Sequence, residues 1–179
     1  MEELSQNILD IAMNSVAVKA PNIDIRITED TAKNILEISI ADNGPGMSDE
    51  MVARVMDPFC TTRTTRRVGL GIPFFKMQAE MTGGDFTVES KLGVGTTVTA
   101  SFHTDHIDFI PIGNLPETIM TLVGAAPDIE ITLNYEKDQN VLSFDTRQMR
   151  EVLGEDVPLD TPAVLIWIRD SVAEELEAL

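Results

Sequence analysis

Apolar residues recur at helical spacing from the start of the chain. Leu4, Ile8, Ile11 and Ala12, with Ser15 on the same face, predict a helix over 2–17. The period then changes. "IDIRI" (23–27) and "LEISI" (36–40) alternate apolar and polar residues, as strands buried on one face do. Ser48, with Asp49 and Glu50 behind it, predicts the N-cap and first turn of a helix in "SDEMVARVM". "GIPFFKMQAEMTGG" predicts another, entered through glycine and ended by Gly83 or Gly84. "FTVES" and "TTVTASF" alternate again across the turn "KLGVG". This order predicts one mixed sheet covered on one face by helices.

"HTDHIDFIPIGNLP" breaks the periodicity, and a shorter set of elements follows. Pro116 marks a helix start and Gly124 its end. "IEITLNY" and "VLSF" predict a hairpin across "EKDQN"; "DTRQ" caps a short helix, and Thr161-Pro162 opens a last amphipathic one. The expected architecture is an α/β (α+β) sandwich with a small C-terminal α+β extension. The expected division is 1–104 and 105–179.

Charge narrows the function. With 13 basic and 30 acidic side chains the chain carries a formal charge of −17, and the part after residue 102 alone carries −12. Such a surface repels phosphate backbones and anionic lipid, so neither nucleic acid nor membrane is an expected partner. The single cysteine, Cys60, suits a reducing compartment, and the acidic start "MEELSQNILD" is unlike a secretion signal, so a cytoplasmic location is expected. Against this background, "DPFCTTRTTRRVGLGIP" (57–73) gathers Arg63, Arg66 and Arg67 beside a glycine pair. A local cluster of that kind suits a small anion, or else pairs with the acidic half as a solvated loop.

Taken singly, the pairs in "GPGM", "GLGI" and "GVGT" are turn signals, and the chain has no Gly-x-x-x-x-Gly-Lys-Ser/Thr loop. Their order is more specific. "DIAMN" on the first helix is followed by "DNGPGM", "DPFCTT", "VGLGI" and "GVGTTV". Over residues 4–102 this series resembles the ATP-binding domain shared by gyrase B subunits, ninety-kilodalton heat-shock chaperones, histidine kinases and MutL. "ILDIAMNS", "PFCTTRTTRRVGLGIP" and "DHIDFIPIG" look closest to small stand-alone histidine-kinase-like ATPase proteins of anaerobic bacteria, associated with iron-only hydrogenase genes.

The resemblance gives each motif a job. Asn7, Asp10 and Asn14 share one stripe of the first helix, which alone would read as a solvated face. The resemblance makes Asn14 a magnesium ligand through its amide oxygen. It puts Asp10 where gyrase-like members carry a glutamate that activates water, and typical histidine kinases an asparagine. Asp42 is matched to the carboxylate that accepts the exocyclic amine of adenine, with Gly44 and Gly46 letting the backbone approach the base. An Asx-type turn is the alternative for Asp42. Thr96 is matched to the threonine that completes the adenine contact. Thr62, Arg63, Arg66 and Arg67 fall on a lid over the triphosphate, and Gly69, Leu70 and Gly71 lead into a helix whose amides favour an anion. ATP and Mg2+ are the implied ligands. The implied function is a protein kinase or anti-sigma-like regulator acting on a separate protein partner; the alternative is a nucleotide-switch ATPase with slow hydrolysis.

Overall fold

A computed structural model of the chain describes residues 2–59 and 70–179. The first helix, α1, spans Leu4–Ala17, and a hairpin of β1 (Asn22–Asp30) and β2 (Ile35–Asp42) follows. Then come α2 (Asp49–Val55), α3 (Gly71–Met81), β3 (Phe86–Lys91) and β4 (Gly95–His103). The remainder forms α4 (Leu115–Ala125), β5 (Glu130–Lys137), β6 (Asn140–Asp145), α5 (Thr146–Leu153) and α6 (Pro162–Glu177). Every predicted element is present.

Local chemistry sets most boundaries. Ser48 caps α2 by accepting from the Met51 amide, and Asp145 caps α5 by accepting from Arg147. Asn114 caps α4 through the Glu117 amide. Gly83 and Gly84 end α3 by donating to the carbonyls of Glu80 and Ala79. Gly124 does not end its helix as expected, because α4 runs on to Ala125. A Cβ there would lie 3.3 Å from Leu165, so this glycine lets α6 approach α4.

The strands form one six-stranded sheet in the order β3-β4-β2-β1-β5-β6. All neighbours are antiparallel except β1 and β5, which pair in parallel from Asn22↔Glu130 to Glu29↔Lys137. The segment after residue 104 thus widens the same sheet. Alternation then decides what is buried. Ile23, Ile25 and Ile27, Leu36, Ile38 and Ile40, Val98, Ala100 and Phe102, and Ile131 and Leu133 all point to one face, under α1, α3, α4 and α6. The opposite face carries Arg26, Glu37, Thr99, Thr132 and Ser143.

The aperiodic stretch before α4 has a structural task. Pro111 and Ile112 accept from the Leu4 and Ser5 amides at 2.9 and 2.7 Å, satisfying donors at the start of α1 that no helical carbonyl can reach. Glu3 Oε2 accepts from the Asn114 amide at 3.0 Å and from Ser5 Oγ at 3.1 Å. The C-terminal half therefore holds the end of the helix that carries Asp10 and Asn14.

Candidate functional site

The β2–β4 ladder brings two predicted residues together, since Asp42 lies directly opposite Thr96. Asp42 ends β2 with its side chain half-buried on the helical face. Its Oδ2 accepts from Ser15 Oγ at 2.6 Å and its Oδ1 from the Gly44 amide at 2.9 Å. The second bond is the Asx-type turn given above as the alternative for Asp42. A carboxylate has about four acceptor positions, and the two bonds orient it without exhausting it. Ser15 was not among the expected site residues. Its signal was a hydroxyl placed on an otherwise apolar helical face.

Thr96 is held from the other side. Ser90, its partner in the β3–β4 register, lies 2.8 Å from Thr96 Oγ1 and accepts from the Met47 amide at 2.7 Å. Ser90 thereby ties the glycine loop after Asp42 to the strands beneath it, and nothing in its sequence setting separates it from any other strand serine. Gly46 and Gly95 are needed for a different reason. Gly46 has φ +70° and a Cβ there would fall 2.0 Å from the Lys91 carbonyl oxygen; Gly95 has φ +144° and a Cβ 2.0 Å from that of Asp42. Main chain passes main chain at both places, and no side chain fits.

Asp10 and Asn14 lie on one side of α1. Asn14 is half-buried, and its amide has no hydrogen bond among the described residues. Gly71 opens α3 against Asp10, where a Cβ would stand 3.1 Å from Asp10 Cβ. Pro73 lacks an N–H and Phe74 N bonds back to Leu70 O, and the amides of Gly71 and Ile72 have no acceptor among the described residues. Leu70 itself is partly exposed and presents an apolar side chain. Thr62, Arg63, Arg66, Arg67 and Gly69 lie outside the described residues. Among the described residues no group of three or more His, Cys, Asp or Glu could hold a metal. The donor set of an amide oxygen and one nearby carboxylate still fits magnesium, a hard ion commonly bound by one or two protein oxygens plus substrate phosphates.

Partial desolvation raises the pKa of Asp10, although the residue keeps an exposed edge. A carboxyl whose folded pKa is raised contributes stability that is complete below its unfolded value. That contribution is lost as pH rises through the folded pKa. Asp10→Asn removes the charge, so the variant is expected to melt higher than the native protein at neutral pH. The gap should close below about pH 3.9, the ordinary aspartate value. Thermal unfolding across pH 3–8 checks this; a native protein that melts higher at neutral pH would contradict it.

A family model described as histidine kinase-, DNA gyrase B-, and HSP90-like ATPase matches residues 1–106. The chain is similar to histidine protein kinase DivJ of Caulobacter vibrioides, 28% identical over 128 residues, covering 69% of this chain and 19% of DivJ. It is also similar to the C4-dicarboxylate transport sensor protein DctB of Pseudomonas aeruginosa, 28% identical over 99 residues, covering 55% of this chain and 16% of DctB. Histidine protein kinase SaeS of Staphylococcus aureus is 29% identical over 108 residues, covering 58% of this chain and 30% of SaeS. The chain thus spans less than a third of the length of each of these relatives. Among solved structures, full-length ShkA in complex with AMPPNP aligns with TM-score 0.45 and 25% identity, over 58% of this chain and 22% of ShkA. The nucleotide-free catalytic domain of histidine kinase ThkA aligns with TM-score 0.39 and 24% identity, over 55% of this chain and 67% of that domain.

Proposed function

Because this chain belongs to the histidine kinase-, DNA gyrase B- and HSP90-like ATPase family, we propose that it is a magnesium-dependent ATP-binding protein that acts as a kinase or regulator on a separate protein. The observation that carries this reading is the facing pair of Asp42 and Thr96, with Ser15 and Gly44 orienting the carboxylate. In this reading the remaining acceptor capacity of Asp42 takes the exocyclic amine of adenine. The carbonyl that guanine presents at that position would be rejected. Gly44, Gly46 and Thr96 border the base. The Gly71 and Ile72 amides at the start of α3 and the basic residues Arg63, Arg66 and Arg67 serve the phosphates. Asn14 would hold magnesium through its amide oxygen, and the bound ion would neutralise phosphate charge.

A separate protein partner is favoured by the outer face of α3. Leu70, Phe74, Met77 and Met81 follow one another at helical spacing and are all exposed, at 38–45%. Methionine-rich stripes of this kind adapt to a partner's surface. The reading puts the protein in the cytoplasm, which suits its single cysteine; no described helix is long and apolar enough to cross a membrane. A second reading, a switch that hydrolyses ATP slowly, rests on Asp10: its pKa raised by desolvation makes it a better base toward water than an ordinary aspartate. The two readings separate when the protein is incubated with γ-labelled ATP and a cell extract. Label on a protein supports the kinase, and free phosphate alone supports the switch.

Asn14→Ala is expected to keep the fold and lose at least about tenfold of the affinity that magnesium adds, since the substitution deletes the oxygen ligand. Thermal-shift titrations with ATP, with and without magnesium, measure the increment. An unchanged increment would make Asn14 an ordinary surface amide.

A further inference from the structure

Fully buried polar side chains in the described residues have partners, with one exception. Ser15 donates to Asp42, Thr82 to the Ala79 carbonyl, Thr118 to the Ser5 carbonyl, and Thr146 accepts from the Ile131 amide. Asn7 is 0% exposed, yet neither its Oδ1 nor its Nδ2 has a hydrogen-bond partner. The other unpartnered buried atom, Glu130 Oε2, belongs to a carboxylate whose second oxygen takes Arg150 at 2.8 Å. An amide with both ends unpaired inside a packed layer is costly, and such groups are rare enough to require a reason.

The place of Asn7 supplies one. It precedes Asp10 by three residues and Asn14 by seven, so the three share a side of α1. That side faces α3, whose first residue lies against Asp10. Asp10 accepts no hydrogen bond from a described residue, and only desolvation acts on its carboxyl. An unused donor and an unused acceptor thus stand one helical turn apart, where side-chain amides and carboxylates can meet.

We propose that Asn7 is a positioning residue for Asp10: with Mg·ATP bound, the Asn7 side chain turns its Nδ2–H onto the Asp10 carboxylate and holds it in one orientation. This rests on the ATP-binding reading above and on Asp10 acting toward water at the same site. It also explains why an amide is kept where leucine would pack at lower cost in the free protein. The amide is unsatisfied in one state and satisfied in the other.

A double-mutant cycle tests it, using the full chain, Asn7→Leu, Asp10→Ala and the combined variant. Binding of Mg·AMPPNP is read by calorimetry and stability by thermal unfolding. In the free protein, Asn7→Leu should raise the melting temperature by the same amount in both backgrounds. Binding should weaken about tenfold on Asn7→Leu when Asp10 is present, and less than about twofold in the Asp10→Ala background. Equal binding changes in the two backgrounds, or no change in either, would each overturn the proposal. If Asn7→Leu does not fold, Asn7→Ser, too short to reach Asp10, takes its place in the cycle with the same binding outcomes. A native protein that fails to bind Mg·AMPPNP would refute the ATP-binding reading and this inference with it. Native binding without coupling refutes the role of Asn7 alone.

Discussion

A chain cut after residue 104 is expected to be insoluble or unfolded. The cut removes β5, the parallel neighbour of β1 along eight register pairs, and leaves β1 as a bare edge. It also strips α4 from α1, uncovering apolar surface that Leu115, Ile119, Leu122 and Val123 now bury. The Leu4 and Ser5 amides would lose the Pro111 and Ile112 carbonyls as well. Burying one large aliphatic side chain is worth about 1.5–3 kcal/mol, and whole domains are stable by only about 5–15 kcal/mol. Losing several such side chains exceeds that margin. Expression of residues 1–104, followed by size-exclusion chromatography and circular dichroism, decides the matter. A soluble fragment with cooperative unfolding and ATP affinity would show instead that the division at 104/105 separates two folding units.

Asp42→Asn should weaken ATP binding about 10- to 150-fold, the equivalent of the roughly 1.5–3 kcal/mol carried by a hydrogen bond to a charged group. The fold should survive. An asparagine oxygen can still accept from the Gly44 amide, and the Ser15 hydroxyl can rotate to accept from the new NH2 group. What is lost is the negative acceptor, so discrimination between ATP and GTP should fall along with affinity. Calorimetry with both nucleotides on native and variant proteins measures the two effects together. Native protein that binds ATP and GTP equally would remove adenine recognition from Asp42.

Much of this was legible because local signals agreed. The stripe from Leu4 to Ala12 predicted the buried face of α1, whereas Asp42 and Thr96 were singled out only through the resemblance that "DNGPGM" and "GVGTTV" help to carry. The ladder that makes those two neighbours could only be seen in the fold. Alternation tells which face a residue occupies, not which strand lies beside it. The parallel join of β1 to β5 was hidden for the same reason, and a C-terminal extension turned out to widen the central sheet. Ser90 and Ser15 depend on partners 6 and 27 residues away, a separation that no short motif records. Asn7 read as part of a solvated stripe, but the fold buries it completely. Gly124 read as a helix end because its other use, room for Leu165, comes from a distant helix.

The parallel join also governs timing. Hairpin β1–β2 needs only the few residues between Asp30 and Ile35 to close, whereas Asn22 must wait for Glu130. During synthesis from the N-terminus, the whole motif-bearing half emerges before the strand that completes its sheet. Contacts so far apart in sequence form slowly, because loop-closure entropy is spent before they return anything. Until about residue 137 has been made, β1 offers an open edge to any other nascent chain. Of the formal charge of −17, −12 lies after residue 102, so the mutual repulsion that keeps half-made copies apart grows as the last strands arrive, a use of charge unrelated to catalysis.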